Sequence, residues 1–122
     1  MIQIGIQSEL IELIAKGNKT VEGRLGKTKF LLLTVGDEIF IREDIYQHGK
    51  IISSIDNRLK IKIDSISRFN SFEQMLKEVG YKNAVPLAKD LYDAVAQYRT
   101  YYSKNDEKEY GVIAFQFHVV SS

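Results

Sequence analysis

The sequence predicts an α+β domain in which five or six mostly antiparallel strands curl into a small β-barrel with flanking helices. Two observations lead to this fold class. Several segments alternate apolar and polar residues as strands do, and amphipathic helical segments lie between them. The chain has 122 residues, 44% of them hydrophobic, which is enough for one core and too few for two. We therefore expect a single domain over residues 1–122, with a closed sheet that protects its strand edges.

Composition excludes several classes of site. Seventeen basic and sixteen acidic residues leave a net charge of +1, so only the local charge distribution can indicate a partner. There is no cysteine, and the two histidines, His48 and His118, are far apart, so we expect no metal site and no cofactor. The N-terminal apolar segment is interrupted by polar residues, which predicts neither a signal peptide nor a membrane span. We expect a soluble, cytoplasmic protein with no membrane partner.

The first elements lead directly into a charged segment. Residues 2–6 alternate as a short strand, and Ser8 is placed to cap the helix that follows. Gly17 stands where a helix ends, because glycine accepts a positive φ without steric cost. The alternation of polar and apolar residues over residues 20–25 then predicts a strand.

That strand places its polar residues on one face. Thr20, Glu22 and Arg24 alternate with Val21 and Leu25, so the polar side chains should line a cleft while the apolar pair enters the core. The segment is also rich in cations. The basic residues between positions 16 and 29 are Lys16, Lys19, Arg24, Lys27 and Lys29, against the single acid Glu22. Such an excess indicates a phosphate ligand, although an ion pair of Glu22 with Arg24 or Lys19 would also explain part of the pattern.

The middle of the chain predicts strands separated by turns. The expected strands are residues 30–35, 38–42, 50–55 and 59–69, with turns at Gly36–Asp37 and Asp56–Asn57 and a polar loop over residues 43–49. In the last of these strands Leu59, Ile61 and Ile63 should point inward, which is typical of a half-buried antiparallel strand.

The C-terminal half predicts two helices and a final strand. Ser71 and Gln74 form a capping box for a helix that ends at Gly80, and Pro86 fits the first turn of a helix reaching Tyr102. Residues 104–109 predict a charged loop and residues 110–120 a strand. The spacing of Tyr98 and Tyr102 is typical of core packing, whereas Tyr46 and Tyr101 are better candidates for exposed platforms that stack on bases.

The segment GNKTVEGRL, residues 17–25, resembles the signature of the ASCH domain, the activating signal cointegrator homology domain of the PUA-like superfamily. Further matching segments follow in the family's order: residues 35–39, 69–76, 101–103 and 110–112. The resemblance implies a PUA-like β-barrel, a cleft lined by the strand of residues 17–24, and RNA binding.

We therefore expect an RNA-binding module whose basic cleft around Lys19–Arg24 holds RNA or a nucleotide. The predicted RNA- or anion-binding residues are Lys19, Thr20, Glu22, Arg24, Lys27, Lys29, Tyr101 and Ser103.

An enzymatic function of the same cleft is the alternative. The chain is also similar to the small acetylcytidine amidohydrolases of this superfamily, which use a lysine, a threonine and a glutamate. Lys19 matches their lysine by position, but Glu22 stands at the position of their threonine, and the adjacent Thr20 would project differently. A ribonuclease using Lys19 and Ser103 is a further possibility. The candidate catalytic residues are Lys19, Thr20, Glu22 and Ser103.

Overall fold

The computed structural model describes residues 2–121 and shows a five-stranded sheet curled into a half-barrel, with helices packed against it. The strands are β1 (Gln3–Gln7), β2 (Val21–Leu25), β3 (Glu38–Gln47), β4 (Lys50–Phe69) and β5 (Val112–Ser121). The helices are α1 (Ser8–Ala15), α2 (Thr28–Leu31), α3 (Phe72–Val79), α4 (Tyr81–Ala84), α5 (Leu91–Arg99) and α6 (Lys104–Tyr110). The α+β fold class is confirmed.

The sheet remains open between its two edge strands. Its order is β1-β3-β4-β5-β2, with β1 parallel to β3 and the other neighbours antiparallel. Within residues 2–121 no backbone ladder joins β1 to β2, so the expectation of a fully closed sheet is wrong. Two side chains bridge the gap instead. Arg24 Nη2 donates to Gly5 O at 2.9 Å, and Lys29 Nζ donates to Gln3 O at 2.6 Å.

Two apolar clusters hold the layers together. One packs α1 against the sheet and includes Ile4, Ile41 and Phe115. The other packs α3 and α5 against β2 and β5, and its members include Val21 and Leu25. Because Val21 and Leu25 point into this second core, the alternate side chains of β2 face the opposite way.

The predicted strand at residues 30–35 is wrong. Residues 28–31 form α2, and Thr34 to Asp37 make a turn in which Asp37 Oδ2 accepts from the Thr34 backbone N–H at 2.9 Å. Leu32 is 70% exposed and Val35 is 63% exposed. Leu33 is buried in the core and Phe30 packs against it, so the run contributes single side chains to the core and does not form a buried strand.

The long hairpin of β3 and β4 also differs from the sequence prediction. The expected polar loop over residues 43–49 is mostly strand, and the reversal occurs at His48–Gly49, both with positive φ. The expected turn at Asp56–Asn57 lies inside the continuous strand β4. Asn57 has a φ of 53° where the pairing register between β3 and β4 shifts, so the turn-forming residues make a bulge.

The boundaries of α1 and α3 follow the predicted caps with one exception. Ser71 Oγ accepts from the Gln74 backbone N–H at 3.0 Å, and the chain leaves α3 at Gly80 with a φ of 83°. Gly17 follows α1 with a φ of 82°, as predicted. Ser8, however, lies within α1 and donates to Glu43 Oε2 at 2.5 Å, so it is not the cap.

The C-terminal helices correct two further predictions. Pro86 does not begin a helix, because α5 starts after Asp90, whose side chain accepts from the Asp93 backbone N–H. Residues 104–110 form α6 instead of a loop, and Ser103 is its N-cap residue. None of the helices within residues 2–121 is both long enough and apolar enough to cross a membrane.

Candidate functional site

An ion-paired triad occupies the start of β2. Glu22 lies between two cations: its Oε1 is 3.1 Å from Lys19 Nζ, and its Oε2 is 2.8 Å from Arg24 Nη2. Arg24 Nε also donates to the same Oε2 at 3.1 Å. The side chains of Lys19, Glu22 and Arg24 are 2%, 8% and 20% exposed. This is a largely buried network with a net charge of +1.

All three N–H donors of the Lys19 ammonium group have partners within the protein. Besides Glu22, its ammonium donates to Val21 O at 2.8 Å and to Ala84 O at 2.5 Å. An ammonium group has three N–H donors, so all three are used. Lys19 thus fastens β2 to the end of α4 and keeps no donor for a ligand.

Among the described residues, the Arg24 guanidinium is hydrogen-bonded through Nε and Nη2 but not through Nη1. Its Nε and Nη2 are bonded to Glu22, and Nη2 also reaches Gly5 O on β1. Within residues 2–121, Nη1 makes no hydrogen bond, and no side-chain nitrogen or oxygen that is shielded from solvent lacks a partner. Nη1 is therefore accessible from outside.

The charges of the triad shift the pKa values in different directions. Burial lowers the pKa of Lys19 more than Glu22 raises it. Burial also opposes ionisation of Glu22, but the charges of Lys19 and Arg24 outweigh it and hold the pKa of Glu22 below its usual value. The pKa of Arg24 is raised, because Glu22 more than offsets its burial. Burial therefore dominates the pKa of Lys19, whereas the ion pairs dominate the pKa values of Glu22 and Arg24.

The triad forms the floor of a cavity of about 220 Å³. Lys19, Glu22 and Arg24 line it from β2, and Gly5 and Gln7 line it from β1. Four tyrosines also line the cavity and are called its aromatic wall here: Tyr46, Tyr98, Tyr101 and Tyr102. A charged floor below an aromatic wall suits a flat, polar ligand that can both stack and accept hydrogen bonds.

The tyrosines differ in how firmly they are held. Tyr98 stacks on Phe72 with ring centroids 4.5 Å apart, and Tyr102 stacks on the same ring at 5.1 Å. Burial raises the pKa of Tyr98, with a further contribution from Glu22. Tyr101 is 58% exposed at the cavity mouth, where its hydroxyl contacts the Gln7 side chain.

Helices α3 and α5 pack closely against β2 at Gly23, and this brings Tyr98 next to the strand. A methyl group on Gly23 would lie 2.8 Å from Met75 Cε and 3.2 Å from the Tyr98 hydroxyl oxygen. Only glycine lets α3 and α5 pack this closely on β2.

The structure separates the other predicted site residues from the cavity. Thr20 does not line it, and neither do Lys16, Lys27 or Lys29. Lys27 Nζ lies over the Tyr110 ring, 5.0 Å from its centroid. The five cations between residues 16 and 29 therefore do not gather around one cleft, and only Lys19 and Arg24 line it.

Ser103 also lies away from the cavity lining. Its Oγ accepts from the Asp106 backbone N–H at 3.0 Å and so caps α6. The described part of the chain contains no group of three or more His, Cys, Asp or Glu side chains that could hold a metal ion.

Sequence reasoning missed part of the aromatic wall. The helical spacing of Tyr98 and Tyr102 correctly indicates packing, but both rings also face the cavity. Gln7 and Gln97 line the cavity without a motif that marks them. The available signal was composition: tyrosine occurs seven times in the chain, and its hydroxyl suits the border between a core and a polar cleft.

Comparison with known proteins agrees with this architecture. The crystal structure of the hypothetical protein PH0355 is 35% identical in sequence, with 97% of each chain covered and a TM-score of 0.80. Protein PF0455 from Pyrococcus furiosus, solved by NMR, is 31% identical, with 99% of this chain and 98% of that chain covered and a TM-score of 0.74.

A more distant structure shares the fold alone. A mutant of the ZmASCH protein from Zymomonas mobilis is 20% identical, with 95% of this chain and 67% of that chain covered and a TM-score of 0.58. No curated protein sequence matches the chain. The sequence profile of the ASCH domain matches residues 4–121, nearly the whole chain. The chain therefore belongs to the ASCH domain family.

Proposed function

We propose that the protein is an RNA-binding module that holds one nucleotide of a single strand in the tyrosine-walled cavity. The observation that carries this proposal is the position of Arg24. Its guanidinium is fixed by Glu22 and Gly5, and its Nη1 is accessible beside the aromatic wall. Single-stranded RNA is recognised by stacking of bases on aromatic rings, together with cationic contacts to phosphate.

The size of the cavity favours the binding of only a small part of an RNA ligand. Typical small-molecule pockets have volumes of about 300–1000 Å³. This cavity, at about 220 Å³, suits a single base or nucleoside rather than a folded or double-stranded segment. The remainder of a strand would lie outside, across the surface of the domain.

The charge of the cavity supports one phosphate contact. Lys19 and Arg24 carry two positive charges and Glu22 one negative charge, so the floor has one excess positive charge. Because Lys19 has no spare donor, Arg24 is the residue that would bind the phosphate. Glu22 then acts as the group that orients it.

Hydrolysis by a protein nucleophile has less support. The two hydrolytic alternatives considered above would use a threonine or serine hydroxyl near a base as the nucleophile. No serine, threonine or cysteine lines the cavity within residues 2–121, and the backbone N–H of Thr20 is bonded to Asn83 O. The alternative readings as an amidohydrolase or a ribonuclease therefore come second to binding.

A titration of labelled single-stranded oligoribonucleotides, followed by fluorescence anisotropy, tests the proposal. Tyr101→Ala should weaken binding by about 1–3 kcal/mol, the usual loss for one stacked base. Tyr92→Ala is the matched control, because Tyr92 is 78% exposed and does not line the cavity. Absence of binding by the wild type, or equal loss in both variants, would contradict the proposal.

The same preparations can be incubated with an acetylated cytidine and with unlabelled RNA. Product formation by the wild type that is lost in Glu22→Gln, without a change in melting temperature, would favour an enzyme instead.

A further inference from the structure

We propose a second phosphate-binding subsite on the β1 side of the cavity, formed by Arg42 and Lys29. This inference rests on the proposed function and makes it more specific. It implies that the ligand is a strand of at least two nucleotides with an internucleotide phosphate, and not a free nucleoside.

Arg42 and Arg24 converge on the same glycine. Arg24 Nη2 donates to Gly5 O at 2.9 Å, and Gly5 pairs with Arg42 in the parallel register of β1 and β3. A methyl group on Gly5 would collide with Arg42 Nη2 and Asp44 Oδ2, so the arginine side chain lies across Gly5. Gly5 lines the cavity and Arg42 does not, so the Arg42 side chain lies next to a residue of the cavity lining.

Lys29 approaches the same edge from α2. Its Nζ donates to Gln3 O at 2.6 Å, two residues before Gly5. Lys29 and Arg24 also share one aromatic support, since their charged groups lie 5.6 Å and 5.5 Å from the centroid of the Phe30 ring. Three cations thus border one short stretch of β1.

Each of these cations keeps donors after its structural contacts are made. Lys29 uses one of three N–H donors on Gln3 O. Arg42 uses Nε and Nη2 on Asp44, and its Nη1 makes no hydrogen bond within residues 2–121. The Arg42 side chain is 34% exposed, so this remaining edge can reach a ligand.

The cluster carries an excess of positive charge. Asp44 neutralises Arg42, whereas Lys29 has no carboxylate within salt-bridge distance in the described residues. Burial lowers the pKa of Lys29, and repulsion from Arg24 and Arg42 lowers it further. An anion placed among the three side chains would relieve this repulsion.

Bridging β1 to β2 does not by itself explain the arrangement. Arg24 and Lys29 each contribute one bond to the open edge, but Arg42 contributes none, because its hydrogen bonds go to Asp44 on its own strand. Asp44 is buried, and Ser54 Oγ donates to its Oδ1 at 3.0 Å, so it holds Arg42 in place over Gly5. A guanidinium fixed in this way is suited to bind phosphate through its free edge.

The experiment compares ligands that differ by one linkage. Kd values are measured by calorimetry for the four ribonucleosides, their 3′- and 5′-monophosphates and 5′-phosphorylated dinucleotides, which carry two phosphates. The ligands are compared for wild type, Lys29→Met and Arg42→Met. The two variants should bind the 5′-phosphorylated dinucleotides about tenfold more weakly and leave nucleoside binding unchanged. The salt dependence of binding should fall by about 0.7 in slope for each lost phosphate contact.

Two variants on the neighbouring strand β4 serve as matched controls. Lys60 lies 5.6 Å from the centroid of the Phe40 ring, as Lys29 does from that of Phe30. Arg58 Nε donates to Glu43 Oε1 at 3.1 Å, and its side chain is 36% exposed. Lys60→Met and Arg58→Met should leave every Kd unchanged.

The outcomes separate this inference from the proposed function. If mononucleotides bind but a second nucleotide brings no gain in affinity or salt slope, the second subsite is overturned while the cavity proposal stands. If neither nucleosides nor nucleotides bind, both are overturned. The comparison within the wild type does not depend on any variant folding. Equal losses in the variants and their β4 controls would likewise overturn the subsite.

Discussion

The ammonium group of Lys19 lies 3.1 Å from Glu22 Oε1 and has its two other donors on Val21 O and Ala84 O. Lys19 is therefore a structural ion, although its position in the sequence marks it as a site residue. Arg24 lies on the other side of the same carboxylate, lines the cavity and keeps Nη1 as an accessible donor. The shared carboxylate links the stability of β2 to the chemistry of the cavity.

Replacing Glu22 with glutamine should lower stability and nucleotide affinity together. The variant leaves two largely buried cations without their anion, which typically costs about 3–5 kcal/mol. Urea unfolding followed by circular dichroism would measure the loss. Glu73→Gln is the control, because Glu73 forms an exposed pair with Lys77 and should change stability by no more than about 0.5 kcal/mol. A Glu22→Gln protein as stable as the control would contradict the structural role of the triad.

Acid should remove the stabilisation that Glu22 provides. Its pKa in the folded protein lies below the ordinary value of 4.5, because Lys19 and Arg24 outweigh the effect of burial. A lowered pKa gives stability that is complete above the unfolded-state pKa and is lost as pH falls through the folded-state pKa. The difference in unfolding free energy between wild type and Glu22→Gln should therefore be constant from pH 7 to about 5 and shrink below that. A difference that does not vary down to pH 3 would assign the stabilisation to another group.

Removing Arg24 should reduce the salt dependence of RNA binding, whereas removing Lys27 should not. Arg24→Met deletes the accessible guanidinium of the cavity, so the slope of log K against log salt should fall by about 0.7. Lys27 lies over the Tyr110 ring outside the cavity, and Lys27→Met should leave the slope unchanged. Equal slopes for wild type and Arg24→Met, with both proteins folded, would remove this cavity as the phosphate site.

Glu107 should contribute more to stability than its place in a highly charged segment indicates. It is 8% exposed, and its Oε2 accepts from the Phe72 backbone N–H at 2.9 Å and from Arg99 Nη2 at 3.2 Å. Glu107→Ala leaves an unpaired N–H at the start of α3, which typically costs about 1–3 kcal/mol. Thermal unfolding should show the loss, and the exposed neighbour Glu109→Ala should show almost none. Similar melting temperatures for the two variants would contradict this role.

The predictable parts of the fold are those with strong local signals. The cap at Ser71, the positive φ of Gly17 and the alternation through β2 each depend on chemistry within a few residues. The first site prediction followed from the same alternation, since Glu22 and Arg24 line one cavity while Val21 faces the core.

The errors arise where distant contacts decide the structure. Residues 104–110 lack an apolar period, yet they form α6, and Glu107 ties this helix to the distant Phe72 backbone N–H. The strand predicted at residues 30–35 fails because Leu32 and Val35 find no partner strand and remain exposed. Local pattern cannot show which lysines meet in space, so it does not indicate that Lys27 and Lys29 lie outside the cavity lining.

The edge between β1 and β2 is held by Arg24 on Gly5 O and Lys29 on Gln3 O, and not by a backbone ladder. Both contacts are hydrogen bonds donated by charged side chains. Either can be removed by substitution without altering a peptide group of the strands. Separation of β1 from β2 along this edge would therefore break side-chain contacts and no backbone ladder between the two strands.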